Sequence, residues 1–128
     1  MNKKKILVVD DEIDFLKVMR LNLEETGRFE VVTLESAKEI IPSLHSFRPD
    51  LILLDLLMPG TGGMEVCEML NADPIGQEVP VIVLSALDKY TDKLKAFQRG
   101  VVDYLVKPIE KGELITSIDK AFQSKYGQ

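Results

Sequence analysis

The chain has 128 residues, of which 45% are hydrophobic and 29% charged, and its formal net charge is −5. A chain of this length can form one domain with a sizeable core, and its acidic balance gives no electrostatic basis for direct nucleic-acid contact. The chain has one cysteine, which argues against a disulfide scaffold. It has no long apolar stretch that would predict a membrane span and no signal-peptide pattern that would predict secretion. We therefore expect a cytoplasmic domain.

Short apolar runs recur along the chain and predict five strands. Continuous apolar runs are typical of strands buried on both faces of a sheet. The second run is less apolar than the others, which indicates an edge strand. The predicted strands are residues 6–9, 29–34, 51–54, 81–84 and 103–106.

A helical pattern follows each of these strands. The first helix begins at Glu12 and ends at Gly27, since glycine favours helix termination; its predicted core-facing residues are Phe15, Val18, Met19 and Leu23. A capping-box pattern at Ser36 opens the second helix, and Pro42 should kink or shorten it. The other helices are predicted at residues 63–71, 88–99 and 110–122.

Five strands that alternate with five helices predict an α/β fold with a parallel sheet covered on both faces. Right-handed crossovers and a switch point near the first strand favour a flavodoxin-like (βα)5 arrangement with strand order 2-1-3-4-5. No linker or internal repeat interrupts the pattern, so we predict that residues 1–128 form a single domain.

Charged side chains follow three of the predicted strands at their carboxyl ends. Asp10 and Asp11 end the first strand, Asp55 ends the third and Lys107 ends the fifth. Because parallel strands release these ends at one edge of the sheet, the four side chains should meet there. Three close carboxylates raise one another's pKa unless a cation lies among them, and their oxygens are ligands that Mg²⁺ prefers. The pattern predicts a Mg²⁺ site beside a lysine left free for an anion, which indicates phosphoryl chemistry.

Some residues of this edge have a second interpretation. Asp10 and Asp11 could cap the first helix, and Ser85 at the end of the fourth strand could cap the next one. No capping role is obvious for Asp55, because the third helix starts several residues later. Asp55 is therefore predicted to be a metal ligand, a nucleophile that forms an acyl phosphate, or both. Ser85 and the small Ala86 would then bind the phosphate.

The pair Lys107–Pro108 at the exit of the fifth strand allows two interpretations. A cis bond before the proline would fix the direction of the lysine side chain. The alternative is a trans proline in the first turn of the fifth helix.

In this order and at these separations, the motifs resemble those of response-regulator receiver domains of two-component signalling, in the CheY-like superfamily. The resemblance spans essentially the whole chain. It rests on residues 8–12, Asp55 with residues 58–60, Gly63 and Glu65, Ser85 with Ala86, Gly100, and residues 103–108. It implies a signalling switch that catalyses only its own aspartyl phosphorylation and dephosphorylation. The chain is compatible with a stand-alone receiver and with the N-terminal part of a larger regulator.

The resemblance also implies roles for individual residues. Asp55 would be the phosphoacceptor for a histidine kinase or a histidine phosphotransfer protein, in a Mg²⁺-dependent reaction. Asp11 and Asp55 would bind Mg²⁺ directly, Asp10 through water, and Leu57 through its backbone carbonyl. Lys107 would pair with the phosphoryl group.

A conformational switch is implied as well. Ser85 would move toward the phosphoryl group, and Tyr104 would turn inward to fill the vacated space, although Tyr104 could also be an edge-strand residue with no switching role. The shift would remodel the face made by helix 4, strand 5 and helix 5. Through this face the domain would signal to an effector domain or protein, or form a phosphorylation-dependent homodimer.

Two leucines are predicted to slow the loss of the phosphoryl group. Leu57 lies two residues after Asp55, and Leu87 two residues after Ser85, near the path of a water that attacks phosphorus. Neither side chain can hydrogen-bond a water, and both can exclude it. Because general acid–base help is commonly worth ~10²-fold or more, we expect slow intrinsic dephosphorylation.

Ile13 and Leu16 fall off the predicted apolar stripe of the first helix, close to the same edge. They are candidates for docking the helix of the phosphodonor protein, because exposed apolar side chains near a site are often partner contacts. Burial in the core is the alternative for both.

Two other classes of function compete with a phosphorylated switch. A Mg²⁺-dependent phosphohydrolase with an aspartyl nucleophile would carry a second carboxylate two residues later, where this chain has Leu57. A phosphorylation-independent interaction module would be marked by loss of Asp55, the acidic pair or Lys107, and all of these are present. A nucleotide-binding protein is disfavoured, because no glycine-rich loop follows the first strand.

Overall fold

A computed structural model describes residues 3–58, 60 and 62–127 of the chain. Within these ranges, the strands are β1 (Lys4–Val9), β2 (Phe29–Leu34), β3 (Leu51–Leu54), β4 (Val81–Ser85) and β5 (Asp103–Val106). They form one parallel sheet in the order β2-β1-β3-β4-β5. The predicted fold class and strand order are therefore confirmed. Pro59 and Thr61, in the loop motif after Asp55, lie outside the described residues.

The helices are α1 (Ile13–Glu24), α2 (Ile40–Phe47), α3 (Gly63–Ala72), α4 (Tyr90–Gln98) and α5 (Lys111–Tyr126). The Ser36 hydroxyl accepts a hydrogen bond from the Lys38 N–H at 3.0 Å and caps a 3-10 turn that precedes α2. Pro42 lies in the first turn of α2, where a missing N–H is tolerated, and α2 has only eight residues. None of the helices in the described ranges is long and apolar enough to cross a membrane.

The sheet is covered on both faces. Successive side chains of a strand point to opposite faces, so Leu7 and Val9 pack in the core beneath α2, α3 and α4, while Ile6 and Val8 pack in the core beneath α1 and α5. All four residues are almost completely buried. Burial on both faces explains why this strand is a continuous apolar run in the sequence.

The core-facing stripe of α1 differs from the predicted one. Its buried residues are Leu16, Met19 and Leu23. Val18 is 54% exposed, and the expectation that Leu16 falls off the core stripe is wrong, since that side chain is 3% exposed. Both sets of residues fit a period of 3.6, and the position of the sheet decides which set faces inward. Ile13 is 50% exposed, and its docking role stays a prediction.

Gly63 permits a close approach between α3 and the loop that follows β3. A Cβ at Gly63 would lie 2.4 Å from both the Cα and the Cδ2 of Leu56, which is itself buried in the core. Any side chain at Gly63 would force backbone apart, because the Leu56 Cα cannot move without its neighbours. A Cβ at Gly112 in the first turn of α5, by contrast, would meet nothing within 4 Å among the described residues.

We expect Gly63→Ala to lower the free energy of unfolding by about 1–3 kcal/mol through overpacking. The matched change Gly112→Ala should raise it by about 0.5–1 kcal/mol, because alanine costs less backbone entropy in a helix. Urea unfolding followed by circular dichroism measures both values. Equal effects of the two substitutions would contradict the close contact at Gly63.

Candidate functional site

The register of the two central strands places two aspartates side by side. Val9 is paired with Leu54 between β1 and β3, so the next residue of each strand, Asp10 or Asp55, leaves the sheet at the same level. The Asp55 N–H donates to the Val9 carbonyl at 3.0 Å, which extends the ladder one step beyond the strands. Asp10 is 1% exposed and Asp55 is 3% exposed. Two carboxylates are thus held close together with almost no access to bulk water.

A third carboxylate completes an acidic cluster. Oxygens of Asp10, Asp11 and Asp55 all lie within 4.8 Å of one another, and Asp11 is exposed at the surface. Hard oxygen donors at this spacing, with one open side for water, fit the ligand set of Mg²⁺. The Leu57 N–H donates to Asp55 Oδ1 at 3.1 Å and fixes the orientation of that carboxylate.

The ammonium group of Lys107 lies among these carboxylates. Its Nζ donates to Asp10 Oδ2 at 2.7 Å and to Glu12 Oε1 at 3.4 Å, and lies 3.9 Å from Asp55 Oδ2. The lysine was expected to be free for an anion, but here it is an ion-pair partner of Asp10. The peptide bond between Lys107 and Pro108 is cis.

Burial and charge set the protonation of this cluster. Burial, together with the charges of Asp10 and Asp11, raises the pKa of Asp55 from 3.8 to about 6, although the Leu57 N–H and Lys107 oppose the shift. Burial alone would lower the pKa of Lys107, but its hydrogen bond to Asp10 and the charge of Asp55 outweigh that effect and raise it. The lysine is therefore a cation at neutral pH. An additional positive charge at the site would further stabilise the ionised form of Asp55.

A cavity of about 240 Å³ opens above the cluster. Its lining residues are Asp11, Glu12, Asp55, Leu57, Ala86 and Lys107. The side chain of Leu57 is 48% exposed at this mouth. Leu87 is half-buried and packs against the core beneath α2, α3 and α4. The structure therefore places the Leu57 side chain, rather than that of Leu87, at the cavity.

Ser85 and Tyr104 converge on the backbone of Leu87. The Ser85 Oγ is fully buried and accepts a hydrogen bond from the Leu87 N–H at 3.1 Å. The Tyr104 hydroxyl donates to the Leu87 carbonyl at 2.8 Å, and the tyrosine is 8% exposed. Burial raises the pKa of this phenol, so it stays a neutral donor. Tyr104 thus already occupies an inward position, and one residue of the loop between β4 and α4 is held from both sides.

The structure adds two contacts that the sequence did not reveal. Glu12 belonged to the acidic motif without an assigned role, and Phe15 was predicted only as a core residue of the first helix. Both reach Lys107, with the ring centroid of Phe15 4.1 Å from Nζ. Their position within one helical turn of the acidic pair was a usable signal, because the first turn of a helix stays close to the strand end that precedes it.

Solved structures share this fold. The chemotaxis protein CheY4 of Vibrio cholerae, crystallised at low pH, is 24% identical and superposes with a TM-score of 0.88, covering 94% of this chain and 99% of that one. The BeF3-activated N-terminal receiver domain of Klebsiella pneumoniae RstA is 23% identical, with a TM-score of 0.86 over 94% and 99%. At these identities the likeness establishes the fold, which is CheY-like.

Curated relatives extend the likeness to sequence. A protein named "Probable transcriptional regulator ycf27" from Cyanophora paradoxa is 38% identical over 113 residues, which are 88% of this chain and 46% of the relative. Its namesake from Guillardia theta is 37% identical over 112 residues, or 88% and 42%. The chain thus spans less than half the length of these two relatives.

The family comparison covers most of the chain. The family model of the response regulator receiver domain matches residues 6–119. This range contains most of β1, the whole of β2 to β5, and the acidic cluster with its lysine. The chain therefore belongs to the family of response-regulator receiver domains, the signalling modules of two-component systems.

Proposed function

We propose that this domain is a phosphorylation-driven switch that accepts a phosphoryl group on Asp55 from the phosphohistidine of a histidine kinase or phosphotransfer protein. The supporting observation is the arrangement around Asp55, a buried carboxylate with a raised pKa. Two further carboxylates lie within 4.8 Å, and a lysine Nζ lies 3.9 Å away beneath an open cavity. This arrangement suits transfer to a group of the protein itself rather than turnover of a separate substrate.

The cofactor that suits the cluster is Mg²⁺. Asp11 and Asp55 would hold it directly, Asp10 through water and Leu57 through its carbonyl. When bound, it neutralises the carboxylates and offsets the negative charge of the phosphoryl group. The acidic cluster is a good fit because its buried members are unfavourable as neighbouring anions without a cation.

Asp55 has one oxygen available for attack. Its Oδ1 accepts the Leu57 N–H, which leaves Oδ2 as the nucleophile. In the proposed step, Oδ2 attacks phosphorus in line, the new P–O bond forms while the P–N bond to the donor histidine breaks, and the imidazole keeps the electron pair and takes up a proton. Lys107 turns its ammonium from Asp10 toward the phosphoryl oxygens, so a cation follows the transferred charge.

Hydrogen bonds at Leu87 would carry the switch. In the proposed switch, the Ser85 hydroxyl moves toward the phosphoryl group on Asp55 and away from the Leu87 N–H, from which it now accepts a hydrogen bond. The Tyr104 hydroxyl donates to the carbonyl of the same residue. A move of Ser85 would therefore leave the Tyr104 hydrogen bond as the remaining one of these two restraints on the loop between β4 and α4. Phosphorylation would therefore act by shifting the population of loop conformations.

The exposed side of α4 offers a surface for the output. Tyr90, Leu94 and Phe97 are 75%, 41% and 46% exposed and recur at i, i+4 and i+7, so they form one apolar stripe. We assign contact with an effector domain or protein, or with a second phosphorylated copy, to the face made by α4, β5 and α5. The two curated relatives are named as transcriptional regulators, so an effector that acts in transcription is one candidate partner.

We assign docking of the phosphodonor protein to the mouth of the cavity, and we propose that the domain acts in the cytoplasm. Ile13, 50% exposed at the start of α1, remains the candidate for docking the phosphodonor protein. We propose that residues 1–128 act together as one receiver domain that contacts neither nucleic acid nor membrane.

Phosphotransfer is tested by intact mass after incubation with Mg²⁺ and a small-molecule phosphodonor. We expect one phosphoryl group on the wild type and none on Asp55→Asn, because that amide cannot attack phosphorus. Chelation of Mg²⁺ should abolish the modification. A wild-type protein that stays unmodified under every donor and metal condition would instead support a phosphorylation-independent interaction module.

Asp55 should lower the stability of the metal-free domain at neutral pH. Its pKa of about 6 in the folded chain exceeds the ordinary 3.8, so folding is disfavoured increasingly as pH rises from about 4 to 6. At pH 7.5 without metal, Asp55→Asn should raise the free energy of unfolding by about 1–3 kcal/mol, and the gain should vanish near pH 4. Denaturant unfolding across this pH range measures both.

The matched control is Asp14→Asn, which removes an exposed carboxylate of α1 and should change stability by less than about 0.5 kcal/mol. Added Mg²⁺ should stabilise the wild type more than Asp55→Asn. A gain from Asp55→Asn that is the same at pH 4 and pH 7.5 would show that charge burial is not its cause.

The side chains at positions 57 and 87 should set the lifetime of the phosphoryl group. Leu57→Asn with Leu87→Glu should accelerate its loss by about 10- to 100-fold, because polar groups can orient and activate the attacking water. The larger part should come from position 57, whose side chain lines the cavity. Intact mass followed over time after donor removal gives the decay rate.

Leu21→Asn is the control for these changes, since Leu21 is a 66% exposed leucine of α1. It should leave the decay unchanged. If the double variant also decays at the wild-type rate, water exclusion by leucine does not control the lifetime.

A further inference from the structure

The ring of Phe15 lies against the ammonium of Lys107. The Nζ atom is 4.1 Å from the ring centroid, well inside the ~6 Å over which a cation is attracted to an aromatic face. The lysine side chain is only 15% exposed. Since this attraction grows as the cation loses water, the contact is stronger than one on an open surface. The steps proposed above make no use of it.

The ring of Phe15 is held by the fold around it. The residue lies in the first turn of α1 and packs, partly buried, against the core beneath α1 and α5. It follows the acidic pair by one helical turn, so it approaches Lys107 from the side of α1. Packing therefore fixes the position of the ring beside the ammonium group.

Lys107 has to be held before phosphotransfer and released toward the phosphoryl group during it. Its Nζ is now 2.7 Å from Asp10 Oδ2 and 3.9 Å from Asp55 Oδ2, so it must turn toward Asp55. An additional carboxylate at the place of the ring would bind one N–H in a fixed direction and would repel the incoming anion. An aromatic face attracts the cation without fixing any N–H direction and carries no net charge.

We propose that Phe15 is a positioning residue for Lys107: its ring holds the ammonium at the acidic cluster while leaving it able to exchange Asp10 for the phosphoryl group. The inference rests on the proposed phosphorylation of Asp55 and adds to it a residue outside the charged set. An aromatic ring at this position keeps the lysine beside Asp55 and thereby speeds phosphotransfer.

The first experiment replaces Phe15 by leucine, by tyrosine and by phenylalanines with increasing fluorination. Fluorination weakens the attraction for a cation with little change in ring size, so it separates this role from packing. At saturating Mg²⁺ and phosphodonor, Phe15→Leu should lower the phosphorylation rate constant by about 3- to 30-fold, the range expected for a partly desolvated cation–π contact. Phe15→Tyr should restore it, and the rate should fall stepwise with fluorination. Affinity for Mg²⁺ should stay that of the wild type.

A matched control exists at the opposite end of the strands. Lys5 Nζ lies 5.5 Å from the ring centroid of the half-buried Phe47. Phe47→Leu removes the same kind of contact with the same substitution and should leave the phosphorylation rate unchanged. A fall as large as that of Phe15→Leu would attribute the effect to general loss of stability and overturn the proposal.

The second experiment needs neither metal nor phosphodonor. The Lys107 Nζ lies over the ring, so we expect the NMR signals of the ε-methylene protons bonded next to it to be shifted upfield in the wild type and in Phe15→Tyr, and unshifted in Phe15→Leu. Unshifted signals in the wild type, or a wild-type phosphorylation rate in Phe15→Leu, would overturn the inference. If the upfield shift is present but no donor phosphorylates Asp55, the proposed function fails, and the positioning role fails with it while the contact stands.

Discussion

Two carboxylates buried side by side at the ends of β1 and β3 are the constraint on which the site depends. The pairing of Val9 with Leu54 brings Asp10 and Asp55 together, and the apolar strands behind them keep water out. Burial of Asp55, together with the charge of Asp10, raises the pKa of Asp55 to about 6. A rigid apolar sheet therefore makes these groups responsive to cations and to a change of charge.

Other elements of the fold bring a cation to this pair and hold the cation in place. Lys107 reaches Asp10 from β5, a strand separated from β1 by both β3 and β4. The start of α1 adds the Glu12 carboxylate and the Phe15 ring, which meet the ammonium from another side. Each contribution comes from a different part of the chain, so the balance of charge exists only in the folded domain.

The same arrangement links the site to the rest of the molecule. Ser85 and Tyr104 hold the N–H and the carbonyl of Leu87, and this residue begins the path from β4 to α4. In the proposed switch, a change in what the Ser85 hydroxyl binds would alter the loop that leads to the apolar stripe of α4. A modest difference in interaction energy between two conformations of a loop can shift their populations.

Much of this architecture was predictable from the sequence. Apolar runs located the strands, and their alternation with helical periodicities led to the parallel sheet and its order, because few topologies satisfy right-handed crossovers. The edge that gathers Asp10, Asp55 and Lys107 followed from the same rule, since parallel strands end at one side. Gly63 was part of the motif that the sequence showed. Only the fold shows why a side chain is excluded there, because a Cβ at Gly63 would collide with Leu56.

Tertiary structure decided what local patterns leave open. The inward position of Leu16 rather than Val18 depends on how α1 is rotated against the sheet, and both choices satisfy the helical period. The ion pair of Lys107 with Asp10 and its contact with Phe15 join residues more than ninety positions apart. Sequence determined which chemical groups reach this edge, because strand ends are local features. Only the packed fold determined which groups touch, because those distances depend on how separate elements pack together.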